Sequence, residues 1–295
     1  VNGMGNQFYA AAVWAGSRNW EALLFGSIDP HNVITVDKPP LSQWVMALSG
    51  QIFGFSSASM LIPEALMAVG SVWLLYAAVR RISGPAAGLL AGAVLALTPV
   101  SAMMFRFNNP DAAMVLLMTL AAYFTVRALK DKGAKWMALA GVALGFAFLA
   151  KMLEGLMVMP SIGLVYLLAA PTVLRRRLLH LLGASAAFVV SSGWFVLVTV
   201  VWPASSRPYI AGSTDNNFMN LVLGYNGFAR VLGHNPMGFP GPPAGFAPHR
   251  APSAGHGFGG VARRVERGAD AEPLCPGGAP LGEVLGRGAA DRIDL

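Results

Sequence analysis

Three short polar groupings stand out in an otherwise apolar chain. The first is Arg106-Phe107-Asn108-Asn109-Pro110-Asp111, set between two long apolar segments. A carboxylate held rigidly at the edge of such a segment, with an arginine and two amides beside it, could take a proton from a hydroxyl or orient a sugar or a metal. The second is Val36-Asp37-Lys38-Pro39-Pro40, where two prolines stiffen the chain and fix the direction of the preceding side chains. Lys38 suits a phosphate as a point charge, and Asp37 is a second carboxylate or a metal ligand. The third is Lys151 with Glu154, one helical turn apart, at a place where ionisable groups between apolar spans are candidates for facing a polar cavity. Arg207, with Tyr209 in the stretch WPASSRPYIAGSTDNN, adds a weaker phosphate contact.

Each grouping also has a purely structural explanation. Asn109 can cap a helix, Pro110 suits its first turn, and Asp111 sits well at the positive end of the helix dipole. Lys38 can snorkel from a proline turn, Lys151 and Glu154 can neutralise each other, and Glu64 directly after Pro63 reads as a first-turn carboxylate. His31, His180 and His234 share no metal-site spacing and read as structural or surface residues. The single cysteine, Cys275, excludes an intrachain disulfide and a multi-cysteine metal site, while a divalent metal held by carboxylates stays open. The glycines form no phosphate loop, so no nucleotide substrate is expected.

The elements that must position these residues are membrane helices. The 295 residues are 55% hydrophobic and 12% charged, with mean hydropathy +0.55. That balance belongs to a polytopic membrane protein. The net charge of +7 sits in short clusters between apolar segments, the pattern of orientation signals rather than of a nucleic-acid partner. No signal peptide is expected, since polar Asn2, Asn6 and Gln7 come at once, and Val1 reads as an arbitrary start.

Residues 1–58 read as an extracytoplasmic loop. Residues 6–25 and 41–55 within it are too polar or too short to span, and read as interfacial helices. Six candidate spans follow over 59–201, at 60–79, 86–105, 111–128, 136–150, 152–170 and 178–201. Every second connection is basic, with Arg80 and Arg81, then Arg127, Lys130, Lys132 and Lys135, then Arg175, Arg176 and Arg177. The positive-inside rule places those connections in the cytoplasm and the Asp37, Asp111 and Glu154 connections outside. Residues 202–233 read as a second outer loop. The Gly, Pro and Arg-rich stretch 234–295 reads as a disordered tail or an out-of-frame translation.

Taken in order, Gly5-Asn6-Gln7-Phe8-Tyr9, Val36–Pro40, Arg80-Arg81 before Gly-Pro-Ala-Ala-Gly-Leu-Leu-Ala-Gly, Phe105–Asp111 and Gly145-Phe-Ala-Phe-Leu-Ala-Lys-Met152 resemble the bacterial branch of the glycosyltransferase family 39 superfamily. That group contains the protein O-mannosyltransferases and the aminoarabinose transferases. The resemblance covers about residues 3–232 and implies an all-α GT-C membrane fold in the cell membrane. It implies an inverting transferase that takes a sugar from a polyprenyl-phosphate carrier and gives it to a hydroxyl acceptor on a protein, lipid or glycan, with its active site facing outside. By motif, Lys38 falls at the lipid phosphate and Asp111 at the second outer-loop aspartate. Asn6 stands before Tyr9, where an acid is expected, which leaves the general base between Asp111 and Asp37. Asn6, Tyr9, Arg106, Asn108, Asn109, Lys151, Glu154 and Arg207 complete the expected site as substrate-binding residues. Relatives carry a helix before the first loop and further spans after Gly227, so an inactive truncated fragment is one alternative. A transporter or lipid flippase is another, although no internal repeat supports it.

Overall fold

The computed structural model describes residues 3–131 and 133–228, so the expected tail at 234–295 lies outside the described residues. The described chain is helical, and no named strand occurs among these residues. Of two isolated bridges, Ser27 with Thr35 lies within the first loop, and Ile34 with Tyr209 ties that loop to the last.

The first loop folds into α1 (Gln7–Gly16), α2 (Trp20–Phe25) and α3 (Leu41–Phe53). The expected single helix over 6–25 is two helices. The chain breaks at Ser17–Asn19, and the Asn19 side chain restarts it by accepting from the amides of Glu21 and Ala22. Apolar residues from α1, α2, α3 and the start of α4 close one core, containing Val13, Leu23, Met46 and Met60.

Helix α4 (Ser57–Leu97) begins with a reciprocal capping box between Ser56 and Ser59. It is two arms rather than one rod, because Gly84 takes a non-helical left-handed-side conformation (φ 86°, ψ 174°) that only glycine adopts readily. The second arm runs back along the first, bringing Gly88 against Tyr76 and Arg80 and Gly92 against Val72. Candidate span 86–105 is spread over that arm and the short α5 (Pro99–Met104), which Pro99 starts afresh.

Helices α6 (Asp111–Lys130) and α7 (Gly133–Lys151) follow, then a 3₁₀ turn over Met152–Leu156, α8 (Met159–Ala169) and α9 (Leu174–Val201). Helices α7 and α9 run side by side in the same direction. They approach so closely that a side chain on Gly141 would strike the Ala184 carbonyl, and one on Gly145 would strike Ser191. Among the described residues, Ser57–Leu97, Asp111–Lys130, Gly133–Leu156 and Leu174–Val201 are long and apolar enough to cross a membrane, whereas α8 is shorter. A π-helical stretch, Asn220–Phe228, closes the described chain.

The two ends of the bundle differ. One gathers the basic turns: Lys130 Nζ reaches the Arg81 carbonyl, Arg127 lies over Trp136, and Gly133 meets His180. The other end holds Asp111, Lys151 and the start of α3.

Candidate functional site

At that second end, Asp111 is the first residue of α6. The cap differs in detail from the sequence expectation: Pro110 is itself the N-cap residue, and the Asn109 side-chain oxygen accepts from the Asp111 amide at 3.0 Å. Asn109 therefore stabilises the helix start while fixing the backbone that carries the carboxylate. The Ser42 hydroxyl at the start of α3 donates to the Asn109 carbonyl at 3.3 Å and docks the first loop here.

Lys151 ends α7 and reaches back across forty positions of sequence to Asp111. Its Nζ stands 2.5 Å from Asp111 Oδ1 and 2.8 Å from Glu154 Oε2. The expected Lys151–Glu154 pair is thus one half of a three-residue cluster. Buried Met152, between Lys151 and Glu154, has φ 52°, an uncommon value outside glycine. Lys151 engages Oδ1 of Asp111, which leaves Oδ2 for another partner. A pocket of about 190 Å³ opens over Asp111 between α5 and α6, lined by Ser101, Met104 and Phe105.

The second cluster lies just before α3. Lys38 is only 5% exposed, and its Nζ donates to Asn226 Oδ1 at 2.7 Å and to Asp37 Oδ2 at 3.2 Å. The ammonium also lies 5.7 Å from the centre of the Tyr225 ring. Tyr9 donates its hydroxyl toward Asp37 Oδ1 at 3.4 Å, and Asn226 Nδ2 donates to the Asp37 carbonyl. Lys38 is held mainly by neutral oxygen and an aromatic face, with one partly exposed carboxylate. Its third acceptor is the Asp37 backbone carbonyl at 3.3 Å. Leu41 packs in both adjoining cores, against Met152 and Leu221 on one side and Phe105 and Ala112 on the other, so the two clusters flank the first turn of α3.

The remaining expected residues divide. Asn6 and Asn108 form a reciprocal pair: the Asn6 amide donates to Asn108 Oδ1 at 2.6 Å, and Asn108 Nδ2 donates to the Asn6 carbonyl at 2.8 Å. The Asn6 side chain is spent on capping α1 through the Phe8 amide, so this position, where an acid was expected, does the work of a helix cap. Arg106 is exposed and lies at one end of an apolar groove of about 720 Å³ between the arms of α4 and α5. Arg207 donates to the Asn216 carbonyl within its own loop, and among the described residues it pairs with neither Asp111 nor Asp37.

Sequence reasoning missed two positions. Asn226 lies far along the chain from Lys38, and no local signal points to it. Glu64 was expected in a first turn, but α4 starts at Ser57, so Glu64 lies inside the helix and is fully buried. Both its carboxyl oxygens, and both polar atoms of buried Gln43, lack a partner in hydrogen-bond geometry among the described residues. Ser42 and Asp111 are polar neighbours of Glu64. Among the described residues, no three His, Cys, Asp or Glu side chains gather as a metal site.

Comparison with known proteins gives a consistent picture. Residues 37–196 match the family model described as dolichyl-phosphate-mannose-protein mannosyltransferase. YkcB of Bacillus subtilis (strain 168), provisionally named a mannosyltransferase, is 36% identical over 239 residues, covering 81% of this chain and 33% of its own length. YycA of the same organism, named in the same way, is 36% identical over 229 residues, covering 77% and 33%. The chain thus spans about a third of the curated relatives it matches. The crystal structure of ArnT from Cupriavidus metallidurans in the apo state superposes with TM-score 0.53 at 26% identity, over 68% of this chain and 39% of that one. The same protein bound to undecaprenyl phosphate gives 0.53 at 25% identity, over 68% and 37%. The helical bundle is the GT-C membrane fold of a multi-pass protein.

Proposed function

Because the chain belongs to the dolichyl-phosphate-mannose-protein mannosyltransferase family, we propose that it handles the donor in a membrane glycosyltransferase. The enzyme would move a sugar from a polyprenyl phosphate to a hydroxyl acceptor at the outer face of the membrane. The observation that carries this reading is Lys38, a buried ammonium held by Asn226, Asp37 and the Tyr225 ring on one side of α3, with the Asp111–Lys151–Glu154 cluster on the other. A cation placed where a phosphate leaves and a carboxylate placed where a hydroxyl attacks are the two requirements of direct glycosyl displacement.

In that displacement the acceptor oxygen bonds to the anomeric carbon as the carbon–oxygen bond to the phosphate breaks, so the configuration inverts. The bonding pair leaves with the phosphate oxygen, and Lys38 stabilises the charge that develops there. The acceptor proton passes to Asp111 Oδ2, while Lys151 holds Oδ1 and keeps the carboxylate oriented. Asp37, the other candidate base, is engaged by Tyr9 and Lys38 and serves better to position the ammonium. The apolar groove between the α4 arms suits the polyprenyl chain. It shares Ser101 and Phe105 with the pocket over Asp111 and has Arg106 near its polar end. The ArnT structure that holds undecaprenyl phosphate supports this donor class.

The test uses membranes carrying a full-length relative with substitutions at the matching positions, assayed with a polyprenyl-phosphate sugar. Lys38→Ala and Asp111→Asn should each lower transfer by roughly 10²–10⁴-fold. Asn226→Ala should weaken donor binding more than turnover. Full transfer by either of the first two variants would overturn the reading.

A further inference from the structure

The end of the bundle opposite Asp111 carries the basic turns, and most of their cations are already engaged. Arg80 donates to the Tyr76 hydroxyl at 3.1 Å, and Arg81 donates to the Ala77 carbonyl and lies over the Tyr123 ring. Arg127 pairs with Asp131 at 3.3 Å and lies over Trp136. Arg177 donates to the carbonyls of Leu167, Leu168 and Thr172. Arg175 and Arg176 have no such partner among the described residues. Both lie in the first turn of α9, whose N-cap residue Val173 offers no side-chain acceptor and whose first turn contains no acid. A positive helix end carrying arginines and no anion reverses the arrangement that the helix dipole favours.

Next to this turn is a polar pocket of about 290 Å³ lined by Arg176, His180, Tyr166, Thr172, Gly133 and Asp131. Tyr166 is 1% exposed, and its hydroxyl lies 2.6 Å from His180 Nδ1. In the tautomer whose Nδ1 accepts from this hydroxyl, the ring proton is on Nε2, where it can be donated to an anion. Asp131 is paired with Arg127, and among the described residues it makes no ion pair with Arg176. A side chain at Gly133 would strike the Tyr166 hydroxyl, so the glycine keeps this wall of the pocket open.

The faces running away from the pocket indicate the source of the anion. Leu179, Gly183, Ala186 and Val190 fall on one stripe of α9 adjoining Arg176 and His180, and all four are exposed. Gly183 has nothing within 4 Å of where a side chain would begin, which leaves a shallow apolar track at membrane depth.

We propose that this pocket binds the phosphodiester headgroup of an anionic phospholipid, with Arg176, His180 Nε2–H and Thr172 as its contacts and an acyl chain along the Leu179–Val190 stripe. Charge complementarity selects the headgroup and the apolar track selects a lipid over a soluble ion. The site is independent of the donor site at the other end.

The experiment is lipid retention by native mass spectrometry, together with thermal denaturation, on the chain purified in neutral detergent. Phosphatidylglycerol and phosphatidylcholine are added in turn. Phosphatidylglycerol should be retained and should raise the melting midpoint more than phosphatidylcholine does. Arg176→Gln and His180→Ala should each lower its retention about tenfold, the loss of one charge-assisted contact. Arg175→Gln, outside the pocket, should retain it as wild type. Thr172→Val, a milder change, should lower retention without altering the lipid-free midpoint. Unchanged retention by Arg176→Gln, or an equal fall with Arg175→Gln, would overturn the proposal in favour of diffuse surface charge. Equal protection by inorganic phosphate alone would overturn the assignment to a lipid.

Discussion

Replacing Lys151 with methionine removes the ammonium that pairs with both Asp111 and Glu154 and leaves two carboxylates facing each other. The three side chains are 18%, 24% and 28% exposed, and the contacts are 2.5 and 2.8 Å. An exposed ion pair contributes about 0–1 kcal/mol, and removal of one partner from a buried pair costs about 3–5 kcal/mol. These mostly buried groups fall between the limits, so the loss should be about 2–3 kcal/mol. In a chain of this size about 1 kcal/mol moves the melting midpoint by roughly 2–4 °C, which places Lys151→Met about 5–10 °C below wild type. Adding Asp111→Asn removes one of the two carboxylates that Lys151 had paired and should restore part of that loss, with a coupling energy of about 1–2 kcal/mol in the double-mutant cycle. The assay is thermal denaturation followed by circular dichroism in neutral detergent. A Lys151→Met midpoint within about 1 °C of wild type, or strict additivity in the double mutant, would refute the three-residue cluster.

Two further perturbations separate the positioning residues from the rest. Asn108→Ala leaves the Asn6 amide and carbonyl without their buried partner, at a cost of about 1–3 kcal/mol, and should raise hydrogen exchange at the start of α1 before it affects α6. Equal exchange in both helices would argue against this coupling. Glu64→Met replaces a buried carboxyl group whose oxygens lack a geometric partner, so it should raise the melting midpoint by a few degrees, the equivalent of about 1–3 kcal/mol. A lower midpoint would show that Glu64 is a satisfied structural group.

The helical course of the chain was legible wherever a local signal existed. Arg80-Arg81-Ile-Ser-Gly84-Pro85 marked the reversal inside α4, and Asn109-Pro110-Asp111 marked the start of α6, because turn and cap chemistry act within a few residues. The break at Ser17–Asn19 is written in the same chemistry, in the Asn19 cap, but the aromatic and polar residues on both sides of it share the composition of a single interfacial helix. The pairings that make the site were not legible in this way. Lys151 meets Asp111 where the end of α7 packs beside the start of α6, and Lys38 meets Asn226 where the start of α3 packs against the closing π-helical stretch, across stretches that no periodicity spans. Asn6 shows the reverse case. By motif it stood where an acid was expected, yet its geometry is that of a cap, and the carboxylate at hand, Asp111, has its orientation set by Lys151 instead. At Asp111 the cap and the site cannot be separated. The hydrogen bond from its amide to Asn109 fixes the backbone, the ion pair fixes one oxygen, and what remains free is the single oxygen that the proposed chemistry requires. A substitution that releases the cap, such as Asn109→Ala, therefore acts on the carboxylate through its position rather than its charge. It should lower turnover with the donor's affinity little changed, whereas Lys38→Ala should lower both.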